Sequence, residues 1–236
     1  MTPEAPRRGR PPTVTRTLIV DVARTHLDNA GIENFSMRAL AAAIGVTPMA
    51  IYRHVGDREQ LLGLVLDDVS APFPDIELPA DPRERIATLL QAVFEVLVSQ
   101  RWIAEVLRTG SPGGAGALWL VDQIIAAATE TGLSHTEALV MYRALWSYTL
   151  GSVLTVETNK PAAAATTQQK LDTLGSEEFP HLVAALKATD MLDRHSAYHR
   201  GIDYLIRGFC SQQTHDVRDG IANRDAEDAG ASSAVG

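Results

Sequence analysis

Ala41, Gly45 and Ile51 stand four and six residues apart within the stretch SMRALAAAIGVTPMAIYRHV (36–55), the spacing of a DNA-binding helix-turn-helix. The chemistry of such a unit is recognition of base edges and phosphates, not bond making. Ser36 can cap a first short helix on which Leu40, Ala41 and Ile44 share one side. Gly45 supplies the left-handed backbone that ends a helix without a Cβ clash. Thr47 is expected to cap the second helix, and Pro48 suits its first turn, where no amide hydrogen is needed. Ala41 permits close helix approach, and Val46 and Ile51 are expected to face inward and fix a steep crossing.

Other candidate constellations are weaker. His195 and His199 lie four apart on one helical row with Ile202, Ile206 and Phe209. Two such imidazoles could make a metal face or a polar patch, but partly buried interface histidines are commoner, and no metal is expected. SPGGAG (111–116) lacks the Gly-Lys-Ser/Thr that completes a phosphate-binding loop, so a hinge explains it better. Asn34-Phe35-Ser36 matches a glycosylation sequon, yet a helix cap accounts for it more simply. No catalytic set emerges, so neither an enzyme nor a cofactor is expected.

The elements that must hold the recognition unit read as helices throughout, with no strand pattern and no internal repeat. Helix 1 runs from about Thr15 to Ala30, with Ile19, Val22, Ala23, His26 and Ala30 as its inward stripe and Gly31 as its stop. Asp57 with Gln60 makes a capping box ahead of Leu61, Leu62, Val65, Leu66 and Val69. APFPDIELPADP (71–82) cannot continue a helix and marks a boundary. Beyond it, Asp81, Pro82 and Glu84 open a helix bearing Ile86, Leu89, Leu90, Val93, Phe94 and Leu97. A short helix follows near Trp102–Arg108, ending at Gly110. Next comes one carrying Leu118, Val121, Ile124, Ile125 and Ala128, closed by Gly132. Ser134 and Glu137 cap a long helix to about Thr158, and two more start at FPHLVAALKA and near Leu192. PAAAATTQQ (161–169) is of low complexity. The expected organisation is a basic arm (1–13), a head (14–70), a linker (71–82), a body (83–212) and a polar tail (213–236).

The chain has 236 residues and a net charge of −8, which is unevenly spread. Residues 1–66 carry eight Arg and six acidic residues, a local +2, and the remainder carries −10. Nucleic-acid binding follows the local field, so a small DNA-binding head on an acidic body fits this split. RRGRPP, with Arg7, Arg8 and Arg10, resembles a minor-groove arm, a solubilising tail being the alternative. The lone Cys210 excludes an internal disulfide and suits a reducing compartment. No apolar run reaches membrane-spanning length and the N-terminus lacks a signal-peptide core, so a cytoplasmic location is expected.

Residues 10–66, through FSMRALAAAIGVTPMAIYRHVGDREQLL and especially Tyr52, His54, Val55, Arg58 and Leu61, resemble the DNA-binding domain of the TetR family of bacterial transcriptional regulators. GLSHTEALVMYRALWSYTLG and YHRGIDYLIRGF resemble the tetracycline-repressor-like branch of its C-terminal domains. The resemblance implies an all-α homodimer on double-stranded, palindromic operator DNA. It places Arg38 as a base reader, Thr47, Pro48, Met49 and Ala50 at the start of the recognition helix, and Tyr52, His54 and Arg58 in the phosphate clamp. Arg53 is also expected to face outward, within reach of phosphate or base edges, and is placed with the phosphate contacts. Pro48, Met49 and Ala50 depart from polar readers, since their side chains donate no hydrogen bond and suit thymine methyls.

Two sites in the body complete the expectation. Phe94, Trp102, Trp119, Met141, Tyr142 and Trp146 are large and apolar, as a pocket for a small apolar effector requires. Leu150, Val153, Tyr198, Ile202, Leu205, Ile206 and Phe209 form broad stripes on two helices, as a four-helix dimer seam requires, with Ala144, Gly151, Gly201 and Gly208 allowing close approach. The resulting expectation is a repressor that its effector releases from DNA. The alternatives are a DNA-binding regulator answering to a protein partner, and a helical enzyme.

Overall fold

The computed structural model describes residues 14–108, 114–155, 169, 179–189 and 194–211. These form helices α1 (Arg16–Ala30), α2 (Met37–Ile44), α3 (Pro48–Val55), α4 (Arg58–Ser70), α5 (Pro82–Ser99), α6 (Arg101–Arg108), α7 (Ala115–Glu130), α8 (His135–Leu154), α9 (Pro180–Thr189) and α10 (Arg194–Ser211). A 3-10 turn, Phe73–Asp75, follows α4. The described residues contain no strand, and no single helix among them is long and apolar enough to cross a membrane.

In the head, local chemistry sets each helix end. Thr15 Oγ1 accepts from Leu18 N at 3.2 Å and starts α1; Ser36 Oγ accepts from Ala39 N at 3.1 Å and starts α2. Gly45, at φ 81° and ψ 33°, sends its amide back to Ala41 O at 2.9 Å, which closes α2. Thr47 occupies the cap position of α3, but its hydroxyl makes no capping bond, contrary to the sequence expectation. Pro48 supplies the preset first turn instead. The Asp57–Gln60 capping box forms in full, with Gln60 N donating to Asp57 Oδ1 at 2.8 Å and Asp57 N donating to Gln60 Oε1 at 3.3 Å.

The stripe of α1 is rotated from the one expected. Ile19, Val20, Ala23 and Leu27 are buried, while Val22, His26 and Ala30 are only half-buried. Leu27 removes more apolar surface than His26 would, and that difference selects the face. On α2 and α3, Met37, Leu40, Ala41 and Ile51 fill the centre, with Ile44 and Val46 at its edge.

The body is built around α5, whose Ile86, Leu89, Leu90, Val93, Phe94 and Leu97 are all buried. Asp81 Oδ1 caps it by accepting from Arg83 N at 2.8 Å and Glu84 N at 3.0 Å. The chain turns by 105° from α5 into α6. α7 and α8 cover one side of α5, and α10 lies against α5 and α8. On α7 the buried positions are Gly116, Leu120, Ile124, Ala127 and Ala128; Leu118, expected inside, is 66% exposed. α8 ends at Leu154, and Thr158 lies outside the described residues.

Head and body share one continuous core. The segment read as a linker is itself packed: Phe73 is buried, and Ile76 and Leu78 lie against the core. Across the junction, Trp102 Nε1–H donates to Asp28 Oδ1 at 2.8 Å and Ala115 N–H donates to Asp67 Oδ1 at 3.0 Å. Gly116 rests against the Ser70 carbonyl so closely that a Cβ there would overlap it. Gly116→Ala is therefore expected to destabilise the chain by about 1–3 kcal/mol, the usual cost of overpacking. Gly63→Ala, in α4 with open space at the Cβ position, should instead be stabilising by about 0.5–1 kcal/mol. Urea melts of the two variants test the pair; equal effects would mean that the α4–α7 contact is not tight.

Candidate nucleic-acid interface and apolar cavity

The outer surface of α2 and α3 carries the residues expected to meet DNA. Arg38, Thr47, Pro48, Arg53 and His54 are exposed, Met49 is 62% exposed and Tyr52 44%, while Ala50 is half-buried. Among the described residues Arg38 and Arg53 make no hydrogen bond or ion pair, so their guanidinium groups are free to bind in a groove or to a phosphate. The second helix of a helix-turn-helix offers its N-terminal residues to base edges. Here those are Thr47, Met49 and Ala50, with one hydroxyl and two apolar groups. Arg7, Arg8 and Arg10 of the expected arm lie outside the described residues.

Arg58 does not stand with this outward set. Its guanidinium donates to Ile32 O at 3.4 Å and lies 5.7 Å from the Phe35 ring centroid. It braces the loop between α1 and α2, with Phe35 buried beneath it. Arg16, which the sequence reading passed over, takes a place near the outward set. Its Nε–H donates to His54 O at 3.1 Å, holding the C-terminal end of α3. Arg16, Tyr52, Arg53, His54 and Gln60 edge one open polar hollow. The only sequence sign of this was a cation at the first position of α1.

A second site lies between head and body, a mostly apolar cavity of about 260 Å³. α4 contributes Leu66, Val69 and Ser70, and the turn after it Phe73. α5 and α6 add Val93, Val96, Leu97, Ile103 and Leu107; α7 adds Ala117, Leu118, Leu120 and Val121; α8 adds Tyr142 and Trp146. Among the described residues no charged side chain lines it. Burial raises the Tyr142 phenol above its ordinary pKa, so it remains a neutral hydroxyl.

Four residues expected in this pocket are elsewhere. Phe94 is stacked on Tyr198 with ring centroids 3.8 Å apart, and Met141 is fully buried in the core. Trp102 is buried and its indole N–H is committed to Asp28. Trp119 packs half-buried against the core, turned away from its cavity-lining neighbours Leu118 and Leu120 by the helical rotation. The α4 wall was missed because Leu66 and Val69 read equally well as head core.

The expected dimer stripe divides in the same way. Val153, Tyr198, Ile202 and Ile206 are buried within their own chain and cannot face a partner. Tyr198 Oη shares a 2.8 Å hydrogen bond with Thr149 Oγ1 and donates to Leu90 O at 3.2 Å, and burial pushes its phenol far above the usual range. Gly201 abuts Tyr148 of the same chain, so its smallness serves the fold. Leu150, Leu205 and Phe209 are half-buried, while Leu154 and Tyr204 are exposed. Gly151 and Gly208 open onto free space. His195 Nε2 lies 3.4 Å from Glu95 Oε2, and no group of three or more His, Cys, Asp or Glu among the described residues could hold a metal.

Comparison with known proteins matches residues 19–65 to the family described as bacterial regulatory proteins, tetR family, and residues 76–212 to the tetracyclin repressor-like C-terminal domain. An HTH-type transcriptional regulator of Saccharopolyspora erythraea is 28% identical over 216 residues, covering 89% of each chain. The tetracycline repressor protein class D of Escherichia coli is 28% identical over 205 residues, covering 85% of this chain and 91% of its own. Among solved structures, apo ActR of Streptomyces coelicolor superposes with a TM-score of 0.74 at 23% identity, over 86% of this chain and 97% of its own. ActR has also been solved in complex with actinorhodin, at a TM-score of 0.71, 23% identity, and coverage of 85% of this chain and 98% of its own.

The bracing role of Arg58 can be checked directly. Arg58→Ala is expected to cost about 1 kcal/mol through the lost cation–π contact and hydrogen bond, lowering the melting midpoint by about 2–4 °C. Differential scanning calorimetry measures it. An unchanged midpoint with weakened DNA binding would return Arg58 to the phosphate-contacting set.

Proposed function

This chain belongs to the TetR family of bacterial transcriptional regulators, and from that premise we propose that it is a dimeric repressor released from its operator by a small apolar effector. The observation that carries this reading is the double role of α4. Leu61, Leu62 and Val65 of α4 are buried in the core behind the recognition helix, while Leu66, Val69 and Ser70 wall the cavity. An occupant of the cavity therefore bears on the helix that supports the head. ActR with actinorhodin is a precedent for a ligand held by this fold.

In the proposed mechanism two heads enter successive major grooves, about 34–36 Å apart. Arg38 reads a base edge, and Met49 and Ala50 select thymine methyls by contact. Tyr52, Arg53 and His54, with Arg16 beside them, grip phosphates and set register. The effector binds the form whose head separation mismatches that spacing, and DNA weakens the effector to the same degree.

The dimer is assigned to the outer faces of α8 and α10. Gly151, Leu154, Tyr204, Leu205, Gly208 and Phe209 present an apolar surface with two open glycines, suited to a twofold four-helix bundle. Leu205→Glu should yield folded monomers in sedimentation velocity, because a charge enters the seam without a partner. Ile202→Glu should unfold the chain instead, since Ile202 is buried within its own subunit. A stable Leu205→Glu dimer would move the interface to other helices.

DNA recognition is tested by titrating the chain with the DNA upstream of its own gene. Binding should saturate at physiological salt. Arg38→Ala should cost about 1–3 kcal/mol and relax preference at one base pair. Tyr52→Phe should weaken every sequence alike, because a phosphate contact carries no code. Parallel losses across an operator library would overturn the division between reader and clamp.

A further inference from the structure

Two residues that line the cavity, Tyr142 and Trp146, carry side-chain donors, a phenol hydroxyl and an indole N–H, that have no hydrogen-bond partner among the described residues. They stand four residues apart on α8 and so share one side of that helix. Around them the described wall is mainly hydrocarbon and aromatic, and among the described residues it carries neither a cation nor a carboxylate. The remaining side-chain hydroxyl, that of Ser70, already donates to Asp67 O at 3.2 Å. Taking the cavity as the effector site proposed above, we infer that its occupant is an uncharged, mainly apolar molecule with a neutral acceptor oxygen, such as a carbonyl, that accepts hydrogen bonds from Trp146 and Tyr142.

The chemistry of the described wall disfavours charged and purely hydrocarbon occupants. An indole N–H only donates, so the ligand group facing it must accept. An ammonium would meet no carboxylate, and a carboxylate would meet no cation, so either charge would be taken from water without compensation. A pure hydrocarbon would displace water from both donors and leave them unpaired, which is the costly half of a hydrogen bond. A neutral carbonyl oxygen satisfies the donors while the rest of the molecule contacts Phe73, Val93 and Leu120. Because burial raises the Tyr142 pKa, its hydroxyl keeps its proton across the physiological range and remains a donor.

Fluorenone and fluorene share a ring frame and differ in one carbonyl oxygen, and a fluorenone carboxylate adds a charge. Equilibrium dialysis of the full chain against each gives the ratio of ketone to hydrocarbon affinity, with folding checked by circular dichroism. The parent should bind fluorenone and reject the carboxylate. Trp146→Phe and Tyr142→Phe each keep a ring and remove one donor, and each should lower the ketone-to-hydrocarbon ratio by about three- to tenfold. A ratio unchanged in both variants, or a carboxylate bound as tightly as the ketone, would overturn the donor assignment while leaving the cavity as an effector site. Failure of both fluorene and fluorenone to bind would overturn the assignment together with the effector reading beneath it.

Discussion

The packing of α4 against α7 is the constraint on which the rest depends. Gly116 lets the start of α7 touch the end of α4, and Asp67 accepts from the first amide of α7 in the same place. An amide that would otherwise lack a helical partner is thereby satisfied, and the carboxylate sits at the positive end of the α7 dipole. The contact is short and made largely by backbone, so it does not slide easily. Displacement of either helix must be passed to the other, which is the property a coupled regulator needs.

A second tie lies at the far end of α1, where Trp102 of α6 donates to Asp28. The Arg24–Asp68 pair at 3.0 Å and the Arg85–Glu130 pair at 2.8 Å are exposed on at least one side, and such pairs contribute little alone. The burden rests on apolar burial and on the Phe94–Tyr198–Tyr148 stack, which joins α5, α10 and α8. The cavity walls on α5 and α8 belong to the helices that this stack joins. The α4 wall is the one continuous with the head.

The DNA-facing surface follows a different logic. Its cations are few; Arg16 at its edge is partly engaged in holding α3, and Arg58 is turned to the loop between α1 and α2. Arg38 and Arg53 remain free, in keeping with a division between groups that build the surface and groups that use it. The acidic remainder of the chain repels phosphate and leaves the head as the favourable point of approach.

The helices and most of their ends were legible in the sequence. Capping boxes at Asp57 and Ser134, the left-handed Gly45 and the Pro-rich break after α4 are local devices, governed by neighbours within a few residues. The helix-turn-helix was legible for the same reason, because its geometry is stored in a short run. Tertiary structure alone decided which apolar residues face a cavity, which face the core and which remain for a partner. Leu66 and Val69 look like core in any helical reading, and Ile202 looks like interface; only the position of α7, or of α5 and α8, tells them apart. A periodic stripe fixes a helix's apolar face but not what lies opposite it, and that depends on contacts between residues far apart in the chain.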